Sequence, residues 1–174
     1  MVHPARLPVE EFRTQVQLET TRGPGPGGQH KNKADTAVRA THKPTGIRTH
    51  AGERRSMHAN QREALKRLRR RVAAKHREPL DPEGFGPDGV YEPSELWQGR
   101  LQGRRLVVSA EHEDLPALLS EALDVLAHCE DDVSRASGML GTSTSQFVRF
   151  LAKIPSVLGE LNERRRARGL RSLQ

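Results

Sequence analysis

Aromatic residues make up only 3% of this 174-residue chain: one tryptophan, one tyrosine and four phenylalanines. The core must therefore be thin and aliphatic. Tyr91 and Trp97 read as packing anchors, because a base-stacking platform would carry neighbouring cations. Cys129 is the single cysteine. That excludes an internal disulfide and any Cys-x-x-Cys zinc site, and it fits a reducing cytosol. No apolar run approaches the ~20 residues of a membrane span, and the first nine residues lack the apolar stretch of a secretory signal. Neither Cys129 nor any serine lies in a nucleophile motif. Tests of enzymatic chemistry therefore fall on other residues.

What the chain has in excess is positive charge, and it is unevenly spread. Residues 1–78 hold 18 Lys+Arg against 7 Asp+Glu, a net of +11. Residues 79–174 hold 11 against 15, a net of −4. The basic half is the expected nucleic-acid face. At this length the chain holds one medium domain or two small ones.

The most unusual stretch is Arg22-Gly23-Pro24-Gly25-Pro26-Gly27-Gly28-Gln29-His30-Lys31-Asn32-Lys33. Its glycines and prolines sustain neither helix nor strand. It presents one uncharged, doubly hydrogen-bonding side chain, Gln29, behind two glycines that let the backbone approach a partner closely. Lys31 and Lys33 follow, placed to hold phosphate. A bare backbone and an amide beside cations point to a polyanion next to a reacting centre.

Gly27-Gly28-Gln29 with the following His30-Lys31-Asn32-Lys33 resembles the GGQ signature of class I peptide chain release factors and their ribosome-rescue relatives. Three further matches follow in order: Thr36 opening an alternating run, His42-Lys43-Pro44-Thr45-Gly46-Ile47 as a hairpin, and Arg54-Arg55-Ser56 with Asn60 at a helix start. The resemblance covers residues 16–72. It implies ribosome-dependent hydrolysis of the peptidyl-tRNA ester by a short release- or rescue-type factor. In that family the backbone N–H of Gln29 stabilises the oxyanion, and its side chain helps to place water and exclude bulkier nucleophiles. Both roles are physically sound, since a neutral amide brings no competing charge. The implied partners are large-subunit rRNA and peptidyl-tRNA, in the cytoplasm, together with a methyltransferase acting on the Gln29 side-chain nitrogen (N5). Gly27, Gly28 and Gln29 are thus the expected catalytic residues. Arg22, His30, Lys31, Asn32, Lys33, Arg54, Arg55, Arg62, Lys66, Arg69 and Arg70 are the expected RNA contacts. His30, His42, His50 and His58 are dispersed over loop, turn, strand and helix start, so no metal and no cofactor is assigned.

Around the loop, residues 8–12 suit a short helical turn and residues 14–20 alternate as a half-buried strand, with Val16 and Leu18 on one face. Residues 36–41 and 47–50 flank turn chemistry at Pro44-Thr45-Gly46 and form a hairpin. Residues 56–76 read as a helix with Leu65, Leu68 and Val72 on its inner stripe. Ser56 is one cap, and Asn60 with Glu63 forms an alternative internal capping box. The cations on this helix exceed what a solvated face alone explains, which favours RNA backbone contact.

Residues 79–110, rich in Pro and Gly, read as a linker or an ordered loop. Beyond them Asp114 caps one helix, Asp131 or Asp132 a second that Gly141 ends, and Ser143 with Gln146 a third; a fourth spans about residues 156–168. The middle pair resembles a helix-turn-helix with Ser145, Gln146, Arg149 and Lys153 outward. Residues 111–132, with eight acids and no Lys or Arg, would repel nucleic acid along that flank. A protein-interaction or structural module is therefore an equal reading of this part, and its partner is left open.

The expected fold is α+β. A small, mostly antiparallel sheet packed by a helix occupies residues 1–78, residues 79–110 connect, and an α-helical, helix-turn-helix-like module occupies 111–174. The alternative function is a nucleic-acid-binding adaptor that works through that module on a degenerate GGQ fold. The length leaves no room for the codon-reading domains of full release factors, and neither a P-x-T in a suitable place nor an S-P-F tripeptide occurs. Stop-codon-independent action is therefore expected. The long Lys/Arg-rich tail of short rescue hydrolases is likewise missing.

Overall fold

Alternating burial produces the first sheet. Val16 and Leu18 turn inward while Gln17 and Glu19 are exposed, and Val38 and Ala40 are buried around an exposed Arg39. In the computed structural model, which describes residues 2–21 and 36–173, strands β1 (Val16–Thr21), β2 (Ala37–His42) and β3 (Arg48–Ala51) form an antiparallel sheet in that order. Leu18 lies opposite Ala40, and Val38 lies between Thr20 and Ala51. Strand β1 starts two residues later than the alternation suggests. Helix α1 (Val9–Thr14) runs on to Thr14, whose hydroxyl donates to the Glu11 carbonyl at 2.7 Å.

Helix α2 (Met57–Lys75) covers this sheet through Asn60, Ala64, Leu68 and Val72, one residue every fourth position. Its partners are Phe12, Val38, Ala40 and Ala51. Leu65 is only half-buried, and Ala64 takes the inner position expected of it. The reason is steric. Ala40, Ala51 and Ala64 are all fully buried, and Thr49 Oγ1 donates to the Ala64 carbonyl at 3.0 Å, so helix and sheet approach too closely for a leucine there.

The hairpin between β2 and β3 turns on His42. Its N–H donates to the Ile47 carbonyl at 2.9 Å, its carbonyl accepts from Gly46 at 2.8 Å, and Gly46 has φ 68°. The imidazole is buried and stacks on Phe12 with ring centroids 5.2 Å apart. Nε2 lies 2.9 Å from Gln15 Oε1 and Nδ1 lies 2.8 Å from Thr45 Oγ1. The amide oxygen only accepts, so Nε2 carries the hydrogen; Nδ1 of the neutral ring then accepts from the Thr45 hydroxyl. Burial, and then the neighbouring His76, push His42 below its ordinary value of 6.5.

Ser56 is the N-cap of α2, its hydroxyl accepting from Ala59 N at 3.4 Å, so the helix begins ahead of the Asn60–Glu63 pair. Asn60 has a different task. Its buried amide donates to the Thr36 carbonyl at 2.7 Å and the Arg54 carbonyl at 2.9 Å, while its oxygen accepts from Arg54 N at 2.9 Å.

The chain divides into two compact units, Pro4–His76 and Arg77–Gln174 with Met1–His3. In the second, residues 79–110 hold a 3-10 turn (Pro82–Gly84), helix α3 (Glu95–Arg100) and a hairpin of β4 (Leu101–Gln102) and β5 (Arg105–Leu106). Trp97 is fully buried, donates to the Leu140 carbonyl at 2.9 Å and meets the Phe150 ring edge-on at 5.7 Å. Then follow α4 (Leu115–His128), α5 (Val133–Met139), α6 (Thr144–Leu151) and α7 (Pro155–Ala167). Asp132 caps α5 through Ser134 N and Arg135 N, Ser143 caps α6 through Gln146 N, and Gly141 has φ 66°. Asp114 precedes α4, but its carboxylate takes the Arg100 guanidinium instead of a helix N–H. The fold is α+β, and no described helix is long and apolar enough to cross a membrane.

Every residue of α4 from Leu115 to Leu126 is buried, including Glu121 and Asp124. Burying a carboxylate demands partners. Glu121 accepts from the Tyr91 hydroxyl, Ser94 N and the Ser94 hydroxyl. Asp124 accepts from Glu78 N at 3.1 Å and opposes the downward push of burial on Arg77.

Two stability experiments follow. Folded His42 stays neutral where the unfolded chain takes up a proton, so its contribution is complete above about pH 6.5 and is lost as the pH falls below that. The wild-type urea midpoint should drop between pH 7.5 and 5.5, and that of His42→Asn, lower at the start, should drop less. Glu53, held at about 2 first by its hydrogen bond from Arg67, acts only in more acidic solution. Asn60→Ala strands three backbone groups and should cost about 2–3 kcal/mol of unfolding free energy. Unchanged unfolding would refute its clamping role.

Candidate RNA-facing site

The loop residues Arg22, Gly27, Gly28, Gln29, His30, Lys31, Asn32 and Lys33 lie outside the described residues. The structure gives the frame on which their segment is mounted. Thr21, at the end of β1, is the register partner of Ala37, at the start of β2, so the two strand ends that flank the segment lie side by side at one end of the sheet. Asn60 holds that end. Its bond to the Thr36 carbonyl ties the chain just beyond the loop to α2, and its bonds to Arg54 fix the turn that carries Arg54 and Arg55.

Two open grooves flank the first half of α2. One, of about 380 Å³, is lined by Arg54, Ala59, Arg62, Glu63 and Lys66. The other, of about 260 Å³, is lined by Arg13, His58, Gln61, Arg62 and Leu65. Arg62 belongs to both and forms the ridge between them. Among the described residues Glu63 is the only acid in either lining, and it accepts from Arg67 Nε at 2.9 Å. What remains is a cationic surface with polar donors, suited to phosphate oxygens.

The cations of α2 divide by task. Arg54, Arg55, Arg62 and Lys66 are exposed, and Arg70 is half-buried. Arg69 is committed within the fold, donating to the Ala5 carbonyl at 3.1 Å and the Leu7 carbonyl at 2.8 Å. Arg67 reaches Glu63, Glu53 at 2.7 Å and the His50 carbonyl at 3.1 Å. Arg13, His58 and Gln61 enter the site without having been picked out by sequence. His58, Gln61, Arg62 and Leu65 share the i, i+3, i+4, i+7 spacing of one helix face, a signal that was there to use. Arg13 arrives from another helix and carries no local signal.

His42, His50 and His58 do not gather. His42 is internal to the hairpin, His50 is exposed on β3, and His58 lies in a groove. Among the described residues no three His, Cys, Asp or Glu side chains come together as metal ligands. Cys129 is buried, and burial pushes its thiol up, away from a nucleophilic thiolate.

Residues 8–83 match the family model of the RF-1 domain. The chain is 50% identical over 64 residues to peptide chain release factor 1 of Caldicellulosiruptor saccharolyticus, which covers 37% of this chain and 18% of that protein. It is 42% identical over 73 residues to peptide chain release factor 1 of Caulobacter vibrioides (42% and 20%). It is 47% identical over 66 residues to peptide chain release factor 2 of Variovorax paradoxus (38% and 18%). The chain thus spans about a fifth of the length of the curated relatives it matches. With the sheet, the clamped loop root and the basic helix all inside the matched segment, residues 8–83 are similar to the RF-1 domain and to the corresponding part of peptide chain release factors 1 and 2.

Proposed function

We propose that this protein promotes ribosome-dependent hydrolysis of the peptidyl-tRNA ester, independently of a stop codon. The observation that carries the reading is the RF-1 match across residues 8–83, with Gly27-Gly28-Gln29 intact inside it. Residues 1–78 act as the catalytic domain, and residues 111–174, joined through 79–110, select the target. Gln29 enters the peptidyl transferase centre, where its backbone N–H meets the developing oxyanion and its side chain orients water. Ribosome and tRNA complete the reaction in the cytoplasm. The Gln29 side chain is a substrate for N5-methylation. Arg22, His30, Lys31, Asn32 and Lys33 grip RNA around the ester, and Arg54, Arg55, Arg62 and Lys66 grip the flanking phosphates, with Arg13 beside them.

Codon independence is favoured by the part of the chain beyond the match. Residues 84–174 lie outside the RF-1 segment and fold mainly as helices. On ribosomes stalled with labelled peptidyl-tRNA, wild type should release peptide at the same rate with an empty A site and with a stop codon there. Gln29→Ala should be slower by at least about tenfold. Equal release by wild type and Gln29→Ala would end the catalytic assignment, and release only at stop codons would end codon independence.

A further inference from the structure

Charge in the second unit is segregated along the chain. Residues 79–174 contain 15 acids, yet none lies in 96–110 or in 133–159, which hold β4, β5, α5 and α6. Those two stretches carry Arg100, Arg104, Arg105, Arg135, Arg149 and Lys153. The acids of residues 111–132, which by sequence would repel nucleic acid, are largely turned to internal work. Glu121 and Asp124 are buried, and Asp114 takes Arg100. Asp131 takes the fork of Arg164 at 2.9 and 3.0 Å, and Asp132 caps α5.

The cation-bearing elements form one rigid platform. Thr142 Oγ1 donates to the Arg104 carbonyl at 2.7 Å and Arg104 donates to the Thr142 carbonyl at 3.1 Å, which stitches the β4–β5 hairpin to the turn between α5 and α6. Helix α6 is anchored from behind by Phe147, Phe150 and Leu151, with Phe150 against Trp97. Ser145, Arg149 and Lys153, four apart, are exposed, as is Arg105 beside the stitched turn.

We propose that this hairpin and α6 form a second phosphate-binding face, with Arg105, Arg149 and Lys153 gripping the backbone of a structured RNA. Long cationic side chains on the hairpin, on α6 and in the turn after it, within stretches that contain no acid, meet the requirement for counterion release. The existence of the face stands on the charge segregation; the choice of RNA over DNA rests on the function proposed above.

The test uses the full chain carrying Arg54→Ala and Arg62→Ala, so that the first unit contributes less, and compares variants on that common background. Binding to an RNA duplex of about two helical turns, and to a DNA duplex of the same sequence, is followed by fluorescence anisotropy across a salt series. Adding Arg149→Glu and Lys153→Glu should weaken RNA binding at least tenfold. It should also lower the slope of log K against log salt by about two. Circular dichroism confirms that the fold is kept. An unaltered affinity and slope would overturn the proposal. So would an equal loss from Arg166→Glu with Arg171→Glu, which makes the same charge change on a different surface. Tighter binding of DNA than RNA would overturn the choice of ligand. A chain that binds as expected but releases no peptide would leave this face standing and remove the catalytic reading.

Discussion

One buried amide organises the first unit. Asn60 has two donors and an acceptor, and it meets two carbonyls and an N–H that would otherwise be stranded beneath the sheet. Two of those groups belong to the turn before α2, and one lies at the foot of the segment that carries Gln29. The frame of the loop and the position of the basic helix are thereby set by the same side chain. Because α2 rests on alanines, it lies close enough for so short a side chain to reach. A larger residue at 40, 51 or 64 would lift the helix and break the clamp without touching it.

The second unit solves a different problem with the same chemistry. An α4 buried on every side has no solvent face for its acids, so Glu121 and Asp124 are satisfied from inside by Tyr91, Ser94 and the Glu78 backbone. Anions consumed in this way no longer shape the surface field. A net charge counted along the sequence therefore misstates what a partner would meet on the α6 side.

Much of this was legible in the sequence wherever local periodicity decides. The strands, the His42 hairpin, the Ser56 and Ser143 caps and the Gly141 stop all emerge within a residue or two. Tertiary distance defeated the rest. Leu65 looks like core by spacing, but the close approach at Ala64 assigns the contact elsewhere. Asn60 looks like a helix cap because its true partners lie up to 24 residues away. Asp114 looks like a cap too, and Arg100, 14 residues earlier, claims its carboxylate. Arg69 looks like one more surface cation, yet it binds carbonyls at the opposite end of the unit's sequence. In the candidate site the loop motif was visible at once, whereas the groove partner Arg13 exists only after folding.

The proposed chemistry requires this frame to aim a glutamine at an ester. Single-turnover peptide release from purified ribosome–nascent-chain complexes tests that most directly, with ribosome binding measured in the same samples. The release rate should rise with protein concentration and saturate as the complexes fill. Complexes fully occupied by the protein, with peptide lost no faster than by spontaneous hydrolysis, would contradict it.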